Sequence, residues 1–545
     1  MSLANRFTLP LAVLSLALLA GCGSSNNVNP NNNGFSNSDF SGTYVFSFSG
    51  TDVSFSNATT SFFAIAGTIT ADGKGNITGG TVDINDGDLG GVFPAQALSA
   101  STYSVGSDGR GTGSLVTPEG TFNVDFVLIS DSGGLISRFD DSNAEAGSGS
   151  GTFSLQGSAT QGQLTNMAFT MFGSDPGFNN VGTVGGFSLN GSGTITSGVE
   201  DFNDNTVGIA NQVLTGSVVL NSSTTGTATL NTSFAPGLTF DVWVVDSTHL
   251  KLIETDSTSG LAMAGDAFQQ QSTFTSGQLV FSMAGGDSNS AVVAGGFATT
   301  DANGNLTNGT EDFNDTGNTE TITGFSASCN ATAPFPNDRC QLVTSLFSNG
   351  AVTNVSFAAY PTTAGVLLLE DDNLGYLQGA AYAQSATAFS APANYALNLT
   401  GFNLISNGGW PPEVDDIAQF NATSTGVTGV LDENDVGSAL ITAKLTGSYT
   451  PDPQADGRGS MGVTANGTFN GVLGLEYYVI DSSTAVFIEG DLDQWTFGLF
   501  AAQSTPSGSV AQSAKSRAHA SAVPSLISLV HPLGKSHTTF KHPKN

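Results

Sequence analysis

The groups best placed to do chemistry in this chain of 545 residues are carboxylates and side-chain amides set close together. Asp83, Asn85, Asp86 and Asp88 present hard oxygen ligands at short spacing, a donor set that suits calcium. The spacing is not that of a twelve-residue EF-hand loop, and the same residues are equally able to form Asx-turns at the end of a strand. Arg110 and Arg458 occupy matching Asp-Gly-Arg-Gly sequences, where a guanidinium can grip a carboxylate or phosphate in a fork or stand solvated at a hairpin tip. Among the three tryptophans, Trp410, beside Pro411 and Pro412, is the candidate for an exposed ring that stacks on a sugar, and Trp243 lies in an apolar strand and reads as core.

Catalysis finds little support. A hydrolytic triad needs an oriented His near a nucleophile, yet His249 stands alone before residue 504. Paired carboxylates such as Glu370 and Asp372 have the chemistry for glycoside hydrolysis, but they recur at repeated positions, which speaks for shared architecture. No phosphate loop, dinucleotide fingerprint or zinc-ligand spacing is present. The expected protein is therefore not an enzyme, and calcium is the one cofactor the residues suggest. A formal charge of −32 excludes a nucleic-acid partner, because phosphate neutralisation needs clustered basic side chains.

The Asp-X-Asn-Asp string belongs to a repeat. Asp83-Ile84-Asn85-Asp86 returns as Asp201-Phe202-Asn203-Asp204, Asp312-Phe313-Asn314-Asp315 and Asp432-Glu433-Asn434-Asp435, at intervals of 118, 111 and 120 residues. Eleven positions upstream of each stands a turn residue: Asp72, Asn190, Asp301 and Asn421. A second landmark opens every copy with the period of a strand: Tyr44, Phe46, Phe48; Met167, Phe169, Met171; Leu279, Phe281, Met283; Tyr395, Leu397, Leu399. A glycine follows two places on (Gly50, Gly173, Gly285, Gly401), as a bulge or tight bend requires. A third landmark closes the copies: Arg138-Phe139-Asp140, Glu254-Thr255-Asp256, Glu370-Asp371-Asp372 and Glu489-Gly490-Asp491.

Only 11% of residues are charged, less than half the roughly 25% of an ordinary domain, and 69 are glycine. Turn signals such as Asp72-Gly73, Asp108-Gly109 and Gly133-Gly134 recur at hairpin spacing. The reading is all-β: four tandem repeats, each of about eight antiparallel strands in a small up-and-down (lipocalin-like) barrel filled by Phe, Leu and Val, with β-sandwich repeats as the alternative. The repeats cover 39–160, 161–271, 272–385 and 386–504. They are expected to form a rod or cluster whose linked weak sites gain from effective concentration.

Arg6 followed by an apolar run from Leu9 to Ala20, too short to span a bilayer, marks residues 1–21 as a signal peptide and the chain as exported. The end of that run, Leu19-Ala20-Gly21-Cys22, resembles the lipobox of bacterial lipoproteins. That resemblance implies an acylated Cys22 as mature N-terminus and membrane attachment through its lipid. With Gly23 after the Cys, it points to the outer membrane or cell surface. In overall style the chain resembles bacterial surface lipoproteins built of tandem Gly- and Asn-rich β repeats, a resemblance that brings no activity. Residues 22–38 form a flexible tether. Cys329 and Cys340, eleven positions apart in an exported chain, are expected to pair. The segment 505–545 carries five basic residues, four His and no acid, and reads as a disordered tail or one that touches the acidic body or an anionic surface. The functional expectation is a non-enzymatic envelope lipoprotein for structural or adhesive contact with a polysaccharide or protein surface. The alternatives are a module holding a glycan or small apolar ligand in its barrel mouths and, remotely, a secreted hydrolase.

Overall fold

The computed structural model describes residues 34–504 except 55–58, 88, 141–144, 176–178, 233–236, 273, 275, 288–290, 302, 316–317, 325, 332–338, 349–350, 404–412, 437, 467–471 and 492–493. Repeat one consists of strands Ser41–Ser54, Thr59–Asp72, Ile77–Asp86, Gly91–Ala97, Thr102–Val105, Arg110–Val116, Thr121–Ser130, Gly133–Asp140 and Glu145–Leu155. Nearly every strand pairs antiparallel with its neighbour in sequence, and the first also pairs with the last, Phe48 opposite Gly151. The two edges of this sheet, Gly91–Ala97 and Thr102–Val105, are successive in the chain and amount to one strand broken in the middle. A bridge between Asn76 and Thr102 draws the second half against the neighbouring strand.

Repeat two has the same order, with Gly208–Val213 and Thr215–Leu220 as the broken strand and a bridge from Thr194 to Ser217. In repeat three, Leu306–Asp315 pairs with both halves and the circle closes. In repeat four the strand is whole, Ser438–Pro451, and eight strands form a closed barrel. The expected count of eight is thus eight when the broken strand is taken as one and nine as drawn. The up-and-down order leaves no room for the sandwich.

The opening landmarks point inward. Phe46 and Phe48 meet Phe63, Ile84, Phe126 and Phe153 in the lumen of repeat one, and the equivalent residues of the other copies line theirs. The lumens of repeats two and four are closely filled, with cavities of about 20 and 10 Å³. The glycines that follow do not mark bulges. The strand ladder passes through Gly50, Gly173, Gly285 and Gly401 without a shift of register. A Cβ at any of them would fall on the carbonyl oxygen of the paired strand, at Ser148, Ala262, Tyr376 and Trp495 respectively. Close strand approach, not bending, is what demands glycine here.

The four barrels form a closed ring, not a rod. The second strand of each repeat (Thr59–Asp72, Asn180–Leu189, Ala291–Thr300, Glu413–Ala422) packs on late strands of the next, and the fourth repeat packs on the first. One apolar cluster draws residues from all four, including Val45, Ala168, Val280 and Ala396. Many strands are therefore buried on both faces: Met167–Ser174 are buried throughout. That double burial accounts for the low fraction of charged residues.

Candidate functional site

The repeated polar strings lie where barrels meet. Within Asp-X-Asn-Asp, strand alternation turns X into its own lumen, as Ile84 shows, and sends the first Asp and the Asn outward to the following repeat. Asn85 donates to Glu254 O at 3.1 Å, Glu254 Oε2 at 2.7 Å and Leu261 O at 3.0 Å. Asn203 donates to Glu370 O and Gly375 O, both at 2.8 Å. Asn314 reaches Glu489 O at 3.2 Å, Asp491 O at 2.6 Å and Gln494 O at 3.1 Å. Asn434 closes the ring on repeat one, donating to Arg138 O at 3.0 Å and Gly147 O at 2.8 Å. The Asp-X-Asn-Asp string of one copy thus binds the closing landmark of the next, four times over. An amide is suited to this, since its two N–H groups satisfy carbonyls at the end of a strand pair.

The first Asp of each string does two tasks. Asp83, Asp201 and Asp432 sit at register shifts in their strands. Their carboxylates accept the backbone N–H of Ala95 at 2.7 Å, Asn211 at 2.7 Å and Thr442 at 2.5 Å. Those three residues hold positive φ without being glycine, and the carboxylate stabilises that strained geometry. The other contacts of the same Asp cross to the next barrel. Asp83 accepts Trp243 Nε1 at 2.8 Å. Asp201 receives Arg339 Nε at 2.8 Å, Arg339 Nη2 at 2.5 Å and the Tyr360 hydroxyl at 2.5 Å. Asp312 receives Arg458 Nε at 2.7 Å and Nη2 at 2.9 Å, with the Tyr478 hydroxyl. Asp432 receives Arg110 Nη1 at 2.5 Å.

Arg110 and Arg458 are therefore not solvated hairpin tips. Their side chains are 16% and 21% exposed and are spent on carboxylates of the neighbouring repeat. Strand-end Asx-turns describe only part of the string: Asp204 Oδ1 accepts the N–H of Thr206 and Val207, and Asp86 Oδ1 that of Leu89. Of the calcium set, Asp83 and Asn85 are engaged at the junction, Asp86 is buried, and Asp88 lies outside the described residues. Cys22, Trp410 and the tail 505–545 also lie outside them. Trp243 and Trp495 are buried. Cys329 and Cys340 are joined by a disulfide, their Cα atoms 5.2 Å apart.

Two sets of junction residues were not singled out in the sequence. Arg339 shares Asp201 with the Tyr360 hydroxyl just as Arg458 shares Asp312 with that of Tyr478; its Asp-Arg-Cys context lacks the Asp-Gly-Arg-Gly signature. Gln156, Gln384 and Gln503 follow the last strand of their copies and hook onto the next barrel, with Gln503 returning to Asp108 O and Leu128 O of repeat one. In the sequence two of them share a Gln-Ser after an apolar strand, Gln384-Ser385 and Gln503-Ser504, whereas Gln156 is followed by Gly157.

Lys251, fully buried, donates to Ser47 at 2.9 Å, Thr152 at 3.1 Å and Asp266 at 3.1 Å, and His249 Nε2 lies 2.6 Å from Asp266. These types resemble a base-activated nucleophile, but the group is enclosed between repeats one and two and serves that junction. Five of the seven basic residues between Cys22 and Ser504 (Arg110, Arg138, Lys251, Arg339, Arg458) make ion pairs with carboxylates.

Carboxylates far outnumber these cations, and burial raises their proton affinity. Desolvation pushes Glu200 to about 7, Glu311 and Asp125 to about 8, and Asp52 and Glu254 to about 7. The folded chain then holds protons that the unfolded chain, with carboxylates near 4, has released. Stability therefore falls as pH rises from about 4 toward 8 and levels off above. Melting followed by circular dichroism should give a Tm several degrees higher at pH 5 than at pH 8; the opposite order would contradict this account.

No protein-family model matches the chain, and no curated protein sequence does. Among solved structures, a mutant transferrin binding protein B from Haemophilus parasuis Hp5 matches at 10% identity over 68% of this chain and 83% of its own, with a TM-score of 0.18. An AttH-type protein from Nitrosomonas europaea matches at 11% identity over 62% and 92%, with a TM-score of 0.14. The fold itself defines the class: a tandem array of up-and-down β-barrels, two of them closed and two joined at the broken strand by a single bridge. Among the described residues no helix is long and apolar enough to cross a membrane.

Proposed function

We propose that this chain is a non-enzymatic cell-envelope lipoprotein, held at the outer membrane or cell surface by acyl chains on Cys22, whose ring of barrels makes structural or adhesive contacts with a polysaccharide or protein surface. The observation that carries this reading is the use of the repeated polar residues. The Asp, Asn and Arg side chains that look like sites in the sequence are consumed in joining each barrel to the next. What is left to act is the outer wall and the loops. A ligand finds little room in the lumens of repeats two and four, whose cavities of about 20 and 10 Å³ compare with hundreds of Å³ in small-molecule sites.

The test uses the full chain in a bacterial host. Radiolabelled palmitate should mark the wild type and not Cys22→Ser, and the variant should move from the membrane to the soluble fraction. Cells carrying the wild type should adhere to at least one member of a panel of immobilised polysaccharides and extracellular proteins more strongly than cells carrying Cys22→Ser. Absence of label, or turnover of a polysaccharide by the purified protein, would overturn the reading.

A further inference from the structure

The lumen of repeat one carries its own cation at one end. Arg138 is fully buried there, its Nε 2.8 Å from Asp140 and its Nη1 3.4 Å from Asp52, with its guanidinium over the rings of Phe63 and Phe122. Asp86 adds charge from the adjoining strand. In repeat four the position of Arg138 is held by Glu489, since both open the closing landmark of their copies. Register carries the rest of the comparison. Phe48 pairs with Ile65, which pairs with Ile84; Leu399 pairs with Asp416, which pairs with Glu433. Two apolar residues of repeat one are thus replaced by two carboxylates on adjacent strands, while Asp86 has its counterpart in Asp435 and Asp52 in Asn403.

The end of the fourth lumen thereby assembles Asp416, Glu433, Asp435 and Glu489. Asp416 lies on the same strand face as Val414, Ala418 and Phe420, which line that lumen, so it points inward. Among the described residues the charges that bear on it most are carboxylates: Glu433, Asp415, Glu489 and Asp435. Its Oδ1 has no hydrogen-bond partner although the residue is 1% exposed, and Gln494 Oε1, equally buried, has none either. Gln494 shares the lumen-facing parity of Phe500 and stands across from Asn403. Burying the Asp416 carboxylate beside like charges is strongly unfavourable, and repeat one shows a remedy in place, the Arg138 guanidinium.

We propose that the end of the fourth barrel binds one divalent cation of the hard, oxygen-preferring class, calcium above all, with Asp416 and Glu433 as principal ligands and Asp435, Glu489 and the Gln494 amide oxygen completing the shell. Calcium takes six to eight oxygens in adaptable geometry. Among the described residues no three of the His, Cys, Asp and Glu side chains already stand in ligating position. Closure on the ion is therefore a matter of side-chain rotation, which a directly opposed pair, with Cβ atoms about 5 Å apart, permits.

The experiment takes the full chain, stripped with a chelator and titrated with calcium chloride at pH 7.5. Saturable binding near one ion per chain by calorimetry and a Tm raised by several degrees are expected. Both should vanish in Asp416→Asn/Glu433→Gln and persist in Asp83→Asn, which alters the other candidate calcium set. Should the first variant fail to fold, Glu489→Arg/Gln494→Gly provides the second reading. It installs the Arg and Gly that repeat one has at these positions, Arg138 and Gly147, and should melt at a temperature indifferent to calcium. No binding by the wild type, or binding undiminished in these variants, overturns the proposal.

Discussion

Replacing Arg339 with alanine should destabilise the protein by about 3–5 kcal/mol, the usual cost of removing one partner from a buried ion pair. Three acceptors converge on this guanidinium: both oxygens of Asp201, across the junction between repeats two and three, and Asp371 at 3.1 Å. Arg339 is 2% exposed, and Asp201 is completely buried. Without the guanidinium, two carboxylates are left in a low-dielectric junction with only neutral donors, among them the Tyr360 and Ser356 hydroxyls, the N–H of Asn211 and the amide of Gln341. The double variant Arg339→Met/Asp201→Asn removes the charge on both sides and should recover a large part of the loss. Arg458→Ala should cost less, because its side chain retains contact with water. Urea denaturation of the four proteins checks the order. A loss under 1 kcal/mol for Arg339→Ala would show that the junction does not depend on this pair.

The strand content and the barrel were legible because they follow from local rules. Alternation in Tyr44, Phe46 and Phe48 specifies one inward face, and Asp-Gly and Gly-Gly pairs specify where hairpins turn. The repeat itself was legible as spacing. What the spacing did not reveal was that two of its landmarks touch. Asn203 and Glu370 stand 167 positions apart in different copies, and nothing local distinguishes an Asn that closes a turn from one that crosses to another barrel. The fourth position of the string does close turns, as Asp204 does, which is why the turn reading fits the sequence while missing the role of the first three. Arginine in a glycine-rich turn reads as solvated for a similar reason: the Asp432 that binds Arg110 lies 322 positions away. The glycines after the opening strands carried a real constraint, but its cause was a carbonyl on the facing strand, which only the register discloses.

Ending the chain after residue 385, and so deleting the fourth barrel, should convert the protein into a self-associating species. Every junction is head-to-tail: one face of a barrel meets the opposite face of the next, and such contacts end only when rotation closes a ring. Four copies close it. Three leave Asp312 of repeat three without Arg458 and Tyr478, Asn314 without its carbonyl acceptors, and repeat one with Arg110 and the Arg138 strand end uncovered. They also expose part of the shared apolar cluster, including Val45, Val127, Val280 and Val293. The two open faces are chemically complementary, because Asp312 can receive Arg110 as Asp432 does. An angle set for four copies does not let them meet within one chain, so they should meet between chains. Light scattering coupled to size exclusion should show assemblies that grow with concentration in the truncated protein, and Arg110→Glu should weaken them by placing like charges across the contact. A truncated chain of constant, single-chain mass over a hundredfold range of concentration would mean that closure between repeats four and one is not what keeps these faces covered.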